Sequence, residues 1–408
     1  MQGIFWRQIV PIAAFATLAA VPAQAEIVAD WSDLLTHVGE ATSTPDDPFD
    51  PASVHSYTQV MLAMFEAANA VTPRYRSYVG LAPAPAGASI DAAVATAAHA
   101  VLLKYFPSEA KTIHQAMVMS LRDVPAGQAR KDGEVVGRAA AAAAMKAGGI
   151  DPALPKIGYM PRARPGQWAP SSFPYDPRMA QARPWFMASA SDLRIGPPPA
   201  LDNAAYATAF NEVKLRGEKA SKARTEAETA GAIFWAFYKV DPVMRQIAEQ
   251  PGRSTVANAR MYALVAMASD DLGLVMMDGK MHHGFWRPMN AIRQAAEDGN
   301  PATVPDAAWE PLLNTPRQPE YPCGHCSVAA TFATILAAEG PVPAGGLRFT
   351  SERMKGVTAN LPNWDRFMQT VSEARILGGV HFRTTWDASM PAAKKLGTLA
   401  MERLAPLN

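Results

Sequence analysis

Cysteine is almost absent from this 408-residue sequence, which has only Cys323 and Cys326. That excludes a disulfide scaffold, so a chain of this length must be stabilised by burying apolar surface. Net charge is nearly absent as well. The 38 Lys and Arg residues against 37 Asp and Glu leave +1, and no bulk field favours nucleic acid or an acidic membrane surface. Any cationic site must therefore be local. Charged residues make up only 18% and hydrophobic residues 49%, a balance that argues against disorder. Past the N-terminal segment no apolar run reaches membrane length, so the mature chain is expected to have no membrane span. No region alternates in the strand period through successive turns, which argues against a sheet-based fold. A helical H-E-x-x-H or E-x-x-H pair is also missing, which argues against a conventional zinc or di-iron enzyme.

What is present begins with an export signature. Arg7 supplies a positive start, the run 11–21 is small and apolar, and Ala23-Gln24-Ala25 forms an A-x-A cleavage site before Glu26. Residues 1–25 read as a signal peptide. Residues 26–408 would then be a single exported domain, secreted and in a bacterium periplasmic. Helical periodicity dominates the remainder. It predicts helices over 53–70, 90–105, 109–121, 128–147, 204–217, 226–238, 254–277, 327–338, 364–377 and 391–404. The alanine-rich composition of several of them favours both helix and close packing. The expected fold is all-α. Between 152 and 199 the sequence is proline-rich and carries Trp168, Phe173, Trp185 and Phe186. A long connection of this kind is either a stiff connector or a functional wrap.

Three segments carry chemistry. In the first, Lys280 and Arg287 lie seven apart, a spacing that puts both on one helical face about 10 Å apart along the axis. Pro288 marks a kink or restart directly after the arginine. In the second, Pro322-Cys323-Gly324-His325-Cys326 precedes an alanine-rich helix, whose N-terminus offers free N–H groups to an anion. His325 there can exchange a proton at neutral pH. In the third, Arg375 and His381 flank Gly378-Gly379, which can break the helix and swing the histidine back. Cys-Gly-His-Cys also occurs in thiol–disulfide oxidoreductases, but that chemistry needs a preceding thioredoxin-type strand, and here helices flank the motif.

K-x6-R-P, P-C-G-H and A-R-x5-H, in this order, resemble the signature K-x6-R-P, P-S-G-H, S-R-x5-H-x3-D. That is the signature of the vanadium-dependent haloperoxidase and type-2 phosphatidic acid phosphatase (PAP2) superfamily. Further stretches resemble its bacterial haloperoxidase-like branch, among them Met64-Phe-Glu-Ala-Ala-Asn-Ala70, Arg183-Pro-Trp-Phe-Met187 and Gly379-Val-His-Phe-Arg-Thr384. The resemblance implies two four-helix-bundle-like halves. It also implies a vanadate cofactor, for which phosphate competes, held by Lys280, Arg287, Arg375, Gly324 and the residue at Cys323. His381 would be the metal ligand and His325 the acid–base group. The substrates implied are hydrogen peroxide and a halide. Alternatively, the same site would hydrolyse a small phosphoester through a phosphohistidine at His381, as an acid phosphatase, or only bind an oxyanion.

Two departures matter. Cys323 stands where the signature has serine, and a disulfide with Cys326 would remove its proton. Thr385 stands where the signature has aspartate, leaving Thr385, Asp387 or a backbone carbonyl to orient His381. One of His282 and His283 enters the pocket beside the halide, or they serve a packing or surface role.

Overall fold

The computed structural model describes residues 26–42, 51–147, 164–169 and 183–407. The expected signal peptide over 1–25 lies outside these residues, as does much of the proline-rich stretch, Phe173 included. Thirteen α-helices, three short 3-10 helices and three short strands make up the described elements. They are α1 Ile27–Thr42, α2 Pro51–Val71, α3 Ile90–Tyr105, α4 Ala110–Ser120, α5 Gln128–Ala147, α6 Ala204–Arg216 and α7 Glu226–Ala236. Then follow α8 Asp241–Ala248, α9 Thr255–His283, α10 Pro288–Arg293, α11 Gly324–Glu339, α12 Trp364–Leu377 and α13 Arg383–Arg403. The all-α expectation holds. Among the described residues no helix is long and apolar enough to cross a membrane.

The 29-residue α9 is the organising element. Ser254 caps its start by accepting from the Ala257 amide, and Gly284 closes it at φ 58°. Apolar side chains occur all round it, the pattern of a helix buried on every side. One side packs against α2, which meets α3 and α5; the other packs against α11 and α13, and α12 joins α11 and α7. The two bundles thus share one long axis, about 43 Å at 1.5 Å per residue.

The strands β1 Tyr238–Lys239, β2 Leu347–Ser351 and β3 Thr358–Leu361 form a small antiparallel sheet. Sequence periodicity does not reveal strands of two to five residues. The final helix starts at Arg383 rather than at 391, because Pro391 is accommodated inside it. The described part of the proline-rich stretch wraps the bundles. The Trp168 amide donates to the Gly284 carbonyl at 2.7 Å. Asp271 of α9 accepts the Trp185 and Phe186 amides at 2.6 and 2.8 Å, and Asp270 accepts from the Trp185 indole at 2.8 Å.

Candidate active site

The three sequence segments meet at one buried place, each through a helix end. Lys280 occupies the last turn of α9. The helix stops at His283, so Arg287 does not share a helical face with Lys280; it lies beyond the Gly284 turn and directly precedes Pro288, the first residue of α10. The two converge because the chain turns. Cys323 is the N-cap of α11, and Gly324 and His325 open that helix. Arg375 sits in the last turn of α12. Gly379, at φ 74°, returns the chain so that His381 faces the same place. A Cβ on Gly379 would lie 2.5 Å from the Gly217 carbonyl oxygen, so both conformation and space require glycine there.

The segment 318–322 acts as a clamp for the cations. Lys280 Nζ donates to the carbonyls of Pro319, Glu320 and Pro322 at 2.7, 3.1 and 2.6 Å. Burial, Arg287 and Arg375 push the Lys280 amine well below its ordinary range. Three acceptors nevertheless require three N–H donors, which only the ammonium provides, so the geometry holds the charged form. Arg287 donates through Nε to the Gln318 carbonyl at 2.9 Å and through NH1 to the Val380 carbonyl at 2.8 Å. The same NH1 donates to His381 Nε2 at 3.0 Å. Burial lowers Arg287 to about 9 and Arg375 to about 10, which leaves both guanidinium groups charged at neutral pH.

His381 is buried and its tautomer follows from its partners. Arginine has no acceptor, so Nε2 must offer a lone pair; Nδ1 then carries the proton and donates to Glu320 Oε1 at 2.8 Å. Burial first, then Arg287, Lys280 and Arg375, push His381 well below its usual range and keep it neutral. His325 has the opposite tautomer. Its Nε2–H donates to the Ala236 carbonyl at 3.2 Å, leaving Nδ1 as the atom that can accept a proton. Burial and Arg375 lower its basicity.

Two sequence expectations are corrected here. Cys323 is disulfide-bonded to Cys326, and its amide donates to Ser389 Oγ at 3.0 Å, so its sulfur has no proton to give an oxyanion. Neither Thr385 nor Asp387 nor a backbone carbonyl receives His381 Nδ1–H; Glu320 does. Asp387 is exposed. Glu320 lies within the second segment, but nothing in its spacing signals a contact with a residue 61 positions later. His282 is exposed, and His283 Nε2 meets the Ile195 carbonyl at 3.1 Å with its ring edge-on to Tyr321, so its contacts are those of packing.

The site has too much positive charge for itself. Among the described residues Glu320 is the one carboxylate that acts on Lys280 and Arg287, and none acts on Arg375. Burial weakens the acidity of Glu320, raising it to about 7 against the pull of Arg287, Thr385, Phe382 and Lys280. Arg375 Nε is buried with no hydrogen-bond partner among the described residues. A buried donor of this kind is costly unless a ligand meets it. Beside the cations, a Cβ on Gly324 would enter open space. An oxyanion fits this donor set: it would neutralise the excess charge and satisfy Arg375.

Residues 260–407 match the family model described as the VCPO second helical-bundle domain, which spans all three segments. That C-terminal part of the chain is thus similar to the second helical bundle of vanadium chloroperoxidases. The vanadium chloroperoxidase of Curvularia inaequalis is 30% identical over 34% of this chain and 28% of its own length. The chain thus matches less than a third of that curated relative. Likeness of fold alone extends over nearly the whole chain. The crystal structure of the first bacterial vanadium-dependent iodoperoxidase superposes with TM-score 0.76 at 19% identity, covering 94% of this chain and 97% of that one. The holo-type bacterial vanadium-dependent chloroperoxidase gives 0.67 at 17% identity, covering 90% and 97%.

Proposed function

We propose that this protein is a vanadate-dependent haloperoxidase-like enzyme that oxidises a halide with hydrogen peroxide. The observation that carries the reading is the unsatisfied Arg375 within a cluster of three buried cations, beside a neutral histidine whose Nε2 lone pair is turned toward Arg287. Lys280, Arg287 and Arg375 would bind the oxyanion, with the N-terminal amides of α11 at Gly324 assisting, and His381 Nε2 would ligate the metal. When bound, vanadate supplies the activation of peroxide toward the halide.

The chain's own contribution is charge and proton placement. Three buried cations, two of them fixed by backbone carbonyls, would withdraw negative charge from whatever oxygen they hold. His325 accepts a proton at Nδ1, because Nε2–H is committed to Ala236. Residues 26–408 are proposed as the exported mature chain; the Cys323–Cys326 disulfide fits an oxidising compartment.

Replacing His381 with alanine tests the assignment. Vanadate-dependent halogenation should be lost, and a variant with undiminished turnover contradicts the ligand role. Hydrolysis of p-nitrophenyl phosphate by the wild type without vanadate, and no halogenation with it, would instead identify a phosphatase working through the same histidine.

A further inference from the structure

Glu320 does more than accept one hydrogen bond, and its contacts connect all the arms of the site. Its carboxylate is fully buried, at 0% exposure, and every donor around it comes from one stretch of chain. Oε1 accepts from His381 Nδ1 at 2.8 Å and from the Phe382 amide at 3.0 Å; Oε2 accepts from the Thr385 hydroxyl at 2.7 Å. Its backbone carbonyl meanwhile accepts from Lys280 Nζ. The network continues beyond Thr385. The Thr385 carbonyl accepts from Ser389 Oγ at 2.6 Å, and Ser389 Oγ accepts the Cys323 amide at 3.0 Å. A continuous buried path thus runs from the N-cap of α11, through the first turns of α13, to the ring of His381.

We infer that Glu320 is the positioning residue for His381, and that Thr385 and Ser389 tie its carboxylate to the N-terminus of α11. The inference rests on the functional reading above only for the role of His381; the network itself is independent of it. Glu320 touches no reacting atom. It acts by fixing the proton on Nδ1, which leaves Nε2 as the lone pair, and by holding the ring plane through two further donors that anchor its own carboxylate. Outer partners of this kind typically change affinity or activity about 10–100-fold when removed.

Thr385 shows why the carboxylate can come from a loop. Its Oγ1 lies 2.7 Å from Glu320 Oε2, so an aspartate at 385 would place a carboxylate beside the one it replaces. Thr385 therefore serves as a donor to the carboxylate rather than as its source. The same proximity makes the two positions exchangeable in principle, and that provides a test that loss of packing cannot imitate.

The experiment combines ring-nitrogen NMR with a double-mutant cycle. In wild-type protein with 15N-labelled histidine, His381 should show the Nδ1–H tautomer without any anion; an Nε2–H tautomer overturns the inference with no variant needed. Glu320→Gln should mix the tautomers and weaken orthovanadate binding, measured by equilibrium dialysis, about 10–100-fold. Thr385→Asp alone, which sets two carboxylates together, should also weaken binding. The double variant E320Q/T385D should recover both the tautomer and most of the affinity. Losses that simply add in the double variant overturn the positioning role. If wild type binds no orthovanadate, the functional reading fails, and the tautomer in wild type, single and double variants still decides the role of Glu320.

Discussion

Arg375 is the residue at which stability and binding are in opposition. Its Nε lacks a partner, and it adds a third buried cation to a site with one carboxylate. Replacing it with methionine removes the charge and keeps the volume. Without an anion, Arg375→Met should be more stable than wild type by about 1–3 kcal/mol, the usual penalty of an unsatisfied buried polar group. Orthovanadate should raise the wild-type Tm and leave that of the variant unchanged. Thermal melts with and without the anion check both statements; a variant that melts below wild type when anion-free would show that Arg375 is satisfied by the protein alone. The cationic residues were legible because Lys280, Arg287 and Arg375 stand in ordered motifs. Glu320 was not, because a carboxylate in a proline-rich loop acquires its role only when the fold brings His381 and Thr385 to it.

Among the elements, the turn between α12 and α13 sets the site most directly, since it determines how Arg375 and His381 face each other. Gly379→Ala meets a left-handed φ of 74° and a carbonyl oxygen 2.5 Å from the new Cβ. It should lower stability by at least about 1–2 kcal/mol and weaken oxyanion binding as well. Denaturant unfolding together with a binding isotherm checks this; unchanged values in both would mean the turn adapts freely. The helices were legible from alanine content and 3.6-residue periodicity. Three features were not: the early start of α13, concealed by Pro391; the restart at α10 after the Gly284 turn; and strands too short to show a period.

The whole molecule is two bundles on a shared α9, with the 183–187 segment pinned to that helix by Asp270 and Asp271. Burial raises Asp271 to about 7, although the Trp185 and Phe186 amides pull the other way. Its folded value thus lies above its unfolded one near 4, so its contribution is complete below about pH 4 and is lost as the pH rises through about 7. The Tm difference between wild type and Asp271→Asn should therefore fall across that interval; a constant difference would mean Asp271 is ionised throughout. Export and cleavage before Glu26 are expectations of the same scale, and they define the chain to be purified. The central claim is that the cation cluster holds vanadate and uses it. Peroxide-dependent bromination of a dimedone by the purified mature protein, with and without orthovanadate, tests it most directly. The account predicts activity that appears only with vanadate. Absence of bromination at saturating vanadate, or bromination indifferent to it, would contradict the account.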